Sequence, residues 1–343
     1  MKGFWLQCLA VAVGLLQGSA LGQEAAHPAP DPAVMPMQWF LPGGGGSGPR
    51  LGISDEVGPS PPTSEPNPFA SAIPADSRFL QDVKVAYTFL PGGGADGFGN
   101  NDFELSFTRA LSWTFFSEAP LLVTPGFGLR LWEGPRSDRT VDWFGQTLDL
   151  PPRVYDLYLD FGWKPRLREW LFADFGITPG AYTDFGSSGH KPFRLRGRAL
   201  AIVAFSERFQ IVGGFLYINR NRYRAIPAGG LLWFPNPDTK VELVFPQPRL
   251  SRRITTVGST EWWGYLAGEF GGGTWSIERA DGRGDSIDYN DLRLIVGAEW
   301  VTPGRIGGRI EAGYVFGREI ISANIPPNFS PDSTAMVRIG LTY

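Results

Sequence analysis

From residue 79 onward, apolar and polar positions alternate with period two. The cleanest case places Tyr155, Leu157, Leu159, Phe161 and Trp163 on one side, with Asp156, Tyr158, Asp160 and Gly162 on the other. Successive side chains of a strand point to opposite faces, so such a stretch predicts a strand with one apolar and one polar face. The pattern recurs. Val83, Val85, Tyr87 and Phe89 alternate with Asp82, Lys84, Ala86 and Thr88. Phe103, Leu105, Phe107 and Leu111 share a face that Arg109 interrupts, and Phe127, Leu129 and Leu131 oppose Gly126, Gly128 and Arg130. Ala173, Phe175 and Ile177 oppose Asp174, Gly176 and Thr178. Leu195, Gly197, Ala199, Ala201, Val203 and Phe205 oppose Arg194, Arg196 and Arg198. Leu292, Leu294, Val296, Ala298 and Trp300 alternate with Arg293, Gly297 and Glu299. Ile306, Ile310, Ala312, Tyr314 and Phe316 oppose Arg309 and Glu311. At the end of the chain Ala335, Val337, Ile339, Leu341 and Tyr343 face away from Thr334, Met336, Arg338, Gly340 and Thr342.

The connections alternate long and short. Pro235, Asn236, Pro237 and Asp238 form a strong turn signal, and Thr302, Pro303 and Gly304 another. Residues 246–259, with Arg249, Arg252 and Arg253, read as a long loop. Residues 261–279 read as two strands joined at Gly271, Gly272 and Gly273. This segmentation predicts about fourteen strands, or about twelve if a marginal pair fails, and an even count brings the last strand back beside the first.

Residues 1–22 have the form of a cleaved secretory signal: Lys2, a short apolar run, then Ala20 and Gly22 around a small-x-small site. Cys8, the only cysteine, lies there, so the exported chain would carry no disulfide or thiolate metal site. Residues 23–78 are rich in Pro, Gly, Ala and Ser and predict a disordered leader, with Met37 to Leu41 its one apolar island. Residues 79–343 hold the strands. No later run reaches the roughly 20 apolar residues of a membrane helix. If the chain is in a membrane, it must therefore close its sheet, because lipid cannot pair backbone polar groups.

The fold expected is all-β: a closed antiparallel transmembrane β-barrel, preceded by the signal and the leader. The 45 glycines and the 14% aromatic content fit short strands. Many tryptophans, among them Trp113, Trp132, Trp163, Trp170, Trp233, Trp262, Trp263 and Trp300, stand near strand ends, as at a membrane interface. A soluble sandwich or propeller would also alternate. However, the polar faces here are unusually charged, and no blade motif repeats. The last strand, with Val337, Ile339, Leu341 and a terminal Tyr343, resembles the C-terminal assembly signal of bacterial outer-membrane barrels. The stretch Leu231 to Pro235, with Val244, Phe245, Pro246 and Arg249, is similar to outer-membrane barrel families of unknown function. That resemblance implies residence in the outer membrane, contact with its lipid, and recognition by the barrel-assembly machinery through the last strand. It supplies no activity.

A net charge of -3 leaves no electrostatic footprint for nucleic acid. Only His27 and His190 are present, so the sequence predicts no transition-metal site, no cofactor and no catalysis. A lipid hydrolase would need His190 fixed beside a hydroxyl such as Ser187 or Ser188, in a glycine-rich loop. Asp281 to Asp285 reads as a plain turn. The lumen charges are the informative set: Arg194, Arg196, Arg198, Asp156, Asp160, Asp174, Arg309 and Glu311. They suit an electrostatic constriction that selects small anionic solutes. They equally suit internal ion pairs that seal the lumen. A passive channel or transport barrel and a sealed structural or surface-binding barrel therefore both remain open.

Overall fold

The computed structural model describes residues 82–92, 97–111, 119–134, 150–186, 192–279, 281–324 and 329–343. The signal, the leader, Trp113, Ser187, Ser188 and His190 lie outside them.

The chain folds as β1 (Asp82–Leu90), β2 (Gly99–Leu111), β3 (Leu121–Glu133), β4 (Arg153–Trp163), β5 (Arg166–Arg168), β6 (Leu171–Thr183), β7 (Phe193–Ser206), β8 (Phe209–Tyr217), β9 (Ala225–Asn236), β10 (Thr239–Phe245), β11 (Arg249–Val257), β12 (Thr260–Glu278), β13 (Gly284–Val301), β14 (Gly307–Ser322) and β15 (Thr334–Thr342). Among the described residues no helix is long and apolar enough to cross a membrane. Each strand pairs antiparallel with its neighbours. The ring shuts at two joints, β1 on β15 with Val85 opposite Leu341, and β4 on β6 with Leu157 opposite Ala181. Three-residue β5 hangs on the edge of β6 and does not span, which leaves fourteen wall strands.

The count of fourteen agrees with the sequence, but two segments are assigned differently. Residues 249–257 are strand β11, not loop. Residues 260–278 are a single strand, not two. The two differences cancel. Residues 280–291, whose polar composition suggests a loop, are also strand from Gly284 onward. Thr302 to Gly304 keeps its place on the short-turn rim, with the connections at 207–208, 237–238 and 258–259.

The two faces of the sheet have different neighbours. Val337, Ile339, Leu341 and Tyr343 are about half exposed, whereas Met336 and Arg338 on the other face are 1% and 2% exposed. Phe103, Leu105, Phe107, Leu157, Phe175, Ile177, Leu294, Val296 and Ile310 continue the exposed apolar belt. Trp163, Trp170, Trp233, Trp262, Trp300 and Tyr343 ring the short-turn rim, with Trp262 and Trp300 at 5.7 Å. Trp132 and Trp263, read as interface residues, instead point inward and are buried. Strands of 9 to 13 residues such as β1, β4 and β15 match the length a tilted strand needs to cross a bilayer. Leu157→Arg, on the outer face of β4, is expected to destabilise the refolded barrel in lipid vesicles by about 2–4 kcal/mol. A change within about 0.5 kcal/mol, the size of an ordinary surface substitution, would place that face in water.

The interior as candidate functional site

The inward faces converge on ion-pair clusters. Arg130 on β3 donates to Asp102 at 2.7 Å, Glu104 at 3.1 Å and Asp156 at 3.0 Å. Arg293 on β13 grips Asp291 with Nε and Nη2, at 2.8 and 3.0 Å, and reaches Glu269 at 3.1 Å. Arg338 on the last strand joins Glu269 and Glu311 at 3.0 and 2.9 Å. Arg309 lies 3.4 Å from Glu311, and Arg249 bonds Glu299 at 2.6 Å. Charges withdrawn from water must be paired, and here carboxylates and guanidiniums meet across neighbouring strands.

The arginine ladder of β7 divides into three roles. Arg198 binds Asp160 at 3.0 Å and Asp174 at 2.9 Å, the acidic rows of β4 and β6. It lies over Gly162 and Gly176, which pair with each other; a Cβ on Gly176 would stand 2.4 Å from its guanidinium carbon. Arg196 stacks on the Tyr182 ring at 3.7 Å. Arg194 donates to the Asn219 carbonyl and to Ser286 Oγ at 3.2 and 2.7 Å. All eight lumen residues named from the sequence face the interior. Alternation along the sequence does not by itself single out the larger clusters around Arg130, Arg293 and Arg338. The available signal was a lone arginine on the small-residue face of its strand: Arg130 follows Gly126 and Gly128, and Arg338 precedes Gly340.

The interior is not polar throughout. Leu200, Ile202, Val212, Leu216, Leu232, Phe234 and Val244, on the inward faces of β7 to β10, form one apolar cluster. A second cluster joins Trp275, Ile277, Ile287 and Tyr289 of the β12–β13 hairpin to Phe98, Trp132, Val154 and Tyr182 of the wall.

That hairpin crosses the interior. In a barrel wall one face of a strand meets lipid, yet every residue from Gly271 to Ile277 is buried, as is every residue from Ile287 to Asp291. Both faces of the distal hairpin are therefore covered. Trp275 Nε1 donates to Asp156 Oδ1 at 2.5 Å, which links β12 to β4 on the opposite side of the ring. Ser276 forms a parallel bridge with Thr183 of β6, and its carbonyl accepts from the Asp184 amide at 3.3 Å. The glycine run read as a turn makes this course possible. Gly272 has φ of 91°, and a Cβ there would stand 1.8 Å from the Tyr289 carbonyl oxygen. A Cβ on Gly271 would stand 2.0 Å from Asp291 Oδ1. Gly272→Ala is expected to cost roughly 1–3 kcal/mol from the left-handed backbone alone, with the overlap added. It should appear as a lowered urea midpoint and a lower yield of refolded barrel.

The turn after β12 carries an exposed pair, Arg283 Nε to Asp281 Oδ2 at 2.7 Å, which holds the Asp281 carboxyl below its usual range. The plain-turn reading of residues 281–285 agrees with it at its first half. Asp285 instead pairs inward with Arg279 at 2.5 Å. Among the described residues no group of His, Cys, Asp and Glu could hold a metal.

A closed antiparallel ring with an apolar outer belt and paired charges inside defines a transmembrane β-barrel of the outer-membrane type. No protein-family model matches the chain, and no curated protein does. Solved structures similar to it include LpxR from Salmonella typhimurium, at 9% identity and TM-score 0.37, covering 76% of this chain and 99% of that one. An outer membrane channel from Pseudomonas putida F1 is similar at 10% identity and TM-score 0.37, covering 82% and 99%. A bacterial polysaccharide outer membrane secretin is similar at 10% identity and TM-score 0.37, covering 76% and 97%. Likeness this distant bears no argument about activity.

Proposed function

We propose that this chain is an outer-membrane transport barrel whose resting lumen is shut by its own β12–β13 hairpin. What carries the reading is the burial of both faces of that hairpin, joined to the far wall through Trp275 and Asp156. The export signal read at residues 1–22 and the C-terminal strand ending on Tyr343 support delivery to that membrane, with outer-membrane lipid and the assembly machinery as partners. No catalytic step is assigned. Arg198 binds Asp160 and Asp174; the positive charge that would favour small anionic solutes is that of Arg194 and Arg196, at the long-loop end of β7.

A second reading is a sealed barrel with a structural or surface-binding role. The density of its ion pairs favours it, since charges already paired on both sides hold a wall together without needing a solute. Permeability separates the two. Liposomes carrying the refolded protein should admit arabinose once the seal is weakened by substitution. If they stay impermeable while the variants remain folded, the sealed barrel is the correct description.

A further inference from the structure

The wall has a low point beside the hairpin. β10 has seven residues and is joined to β11 by residues 246–248. β11 begins opposite Ala267, so the part of β12 beyond Ala267 has no β11 partner. Residues 218–224, between β8 and β9, occupy the space above. The segment is a compact turn: the Ile218 amide donates to the Arg224 carbonyl at 2.9 Å, and the Arg220 amide to the Tyr223 carbonyl at 3.0 Å. Asn219 takes φ of 51° within it.

Each hydrogen bond below that fastens this loop to the hairpin, or to Glu319 on neighbouring β14, has a side chain on at least one side. Arg220 donates to the carbonyls of Gly271 and Gly272 at 2.9 and 2.8 Å, and to Asn290 Oδ1 at 2.5 Å. Its guanidinium also lies over the Phe270 ring, 4.7 Å from the centroid. The amides of Asn221 and Arg222 donate to the two oxygens of Asp288 at 3.1 and 2.9 Å. Asn221 Nδ2 reaches Ser286 Oγ at 2.9 Å, and Arg222 reaches Glu319 at 2.5 Å. Arg220 is 7% exposed, and its acceptors are uncharged; burial first, then the like charge of Arg196, pushes its pKa down to about 9. It stays charged at neutral pH, at a desolvation cost that a merely wall-filling residue would not incur.

The two faces of the hairpin are held unequally. One carries Trp275, Ile277, Ile287 and Tyr289 into the apolar cluster of the wall. The other presents Ser286, Asp288 and Asn290 to the loop through polar contacts, exposed or half-buried at Asn221 and Arg222 and buried at Arg220, and Tyr223 of the loop packs edge-on against Phe270 at 6.4 Å. Apolar burial of that extent resists separation, whereas polar contacts open to water exchange readily. The movable partner is then the loop, not the hairpin.

We infer that residues 218–224 are the latch of the barrel: release of Arg220 from Gly271 and Gly272 opens a seam between loop and hairpin beside the low wall of β10 and β11. This rests on the transport reading above. The test uses the full chain with Cys8→Ser, which removes the only cysteine. Arg220→Ala and, separately, Arg222→Ala unlatch the loop; the second removes an exposed contact and keeps the test alive if the first does not fold. Each is paired with Asn221→Cys and Ser286→Cys, whose parent side chains touch. Planar-bilayer conductance in KCl is then recorded, oxidised and after reduction. The expected result is discrete steps at least about tenfold more frequent in an unlatched variant, abolished by oxidation and restored by dithiothreitol. Steps that persist in the oxidised form place the route elsewhere and overturn the latch. Folded unlatched variants that stay silent while Trp275→Ala conducts make the hairpin the gate and also overturn it. Silence in all variants removes the transport reading itself.

Discussion

Arg293→Ala is expected to lower the unfolding free energy of the barrel by about 3–5 kcal/mol, the size found when one partner of a buried ion pair is removed. The reason is what remains. Asp291 is fully buried, and both its carboxylate oxygens are held by Arg293. Glu269 keeps Arg338, so the loss concentrates at Asp291. Removing both partners should be milder than the sum of the single losses, because no bare charge is left. A double-mutant cycle with Asp291→Ala, read from urea midpoints in detergent micelles, checks this. Equal and additive effects would mean that the interior is wet enough to solvate the carboxylate.

Trp275→Ala should cost a similar amount, about 3–5 kcal/mol, for a different reason: the cavity left by a large aromatic side chain. The ring is fully buried, packs on Trp132 at 5.3 Å and lies 5.2 Å from the Arg130 guanidinium carbon. Its Nε1 is also the donor to Asp156 across the lumen. This substitution should therefore both lower the thermal midpoint and loosen the seal. Trp275→Phe separates the effects: it keeps most of the packing and loses the hydrogen bond, and it should leave the lumen shut. If Trp275→Ala is as stable as the natural chain, the hairpin does not pack across the barrel as described.

The outer surface was legible in the sequence because lipid imposes one rule on it, an apolar residue at every second position. The dyads of β4, β7 and β15 obey that rule, and each sits where the alternation placed it. β11 was obscured because Arg249, Arg252 and Arg253 make it look like a loop. In the barrel Arg249 and Arg253 meet Glu299 and Glu261, so their charge is compatible with a strand. β12 was cut in two because three successive glycines normally end a strand. Here they make room for Asp291 and Arg220. Within the site, the pairing of Arg198 with Asp160 and Asp174 was legible, since strands adjacent in sequence bring their polar rows together. The bond from Trp275 to Asp156 was not. It joins residues 119 apart and depends on the bend of a hairpin across the ring, which period-two alternation does not encode.

The most direct test of a lumen closed by its own hairpin is planar-bilayer conductance of the refolded natural chain. Heat-modifiable migration would first establish that the barrel has formed. The protein should insert and show no steady open level at low voltage, while Trp275→Ala under the same conditions should conduct. A steady ohmic step from the natural chain would contradict the account, because a continuous aqueous path cannot pass a hairpin buried on both faces.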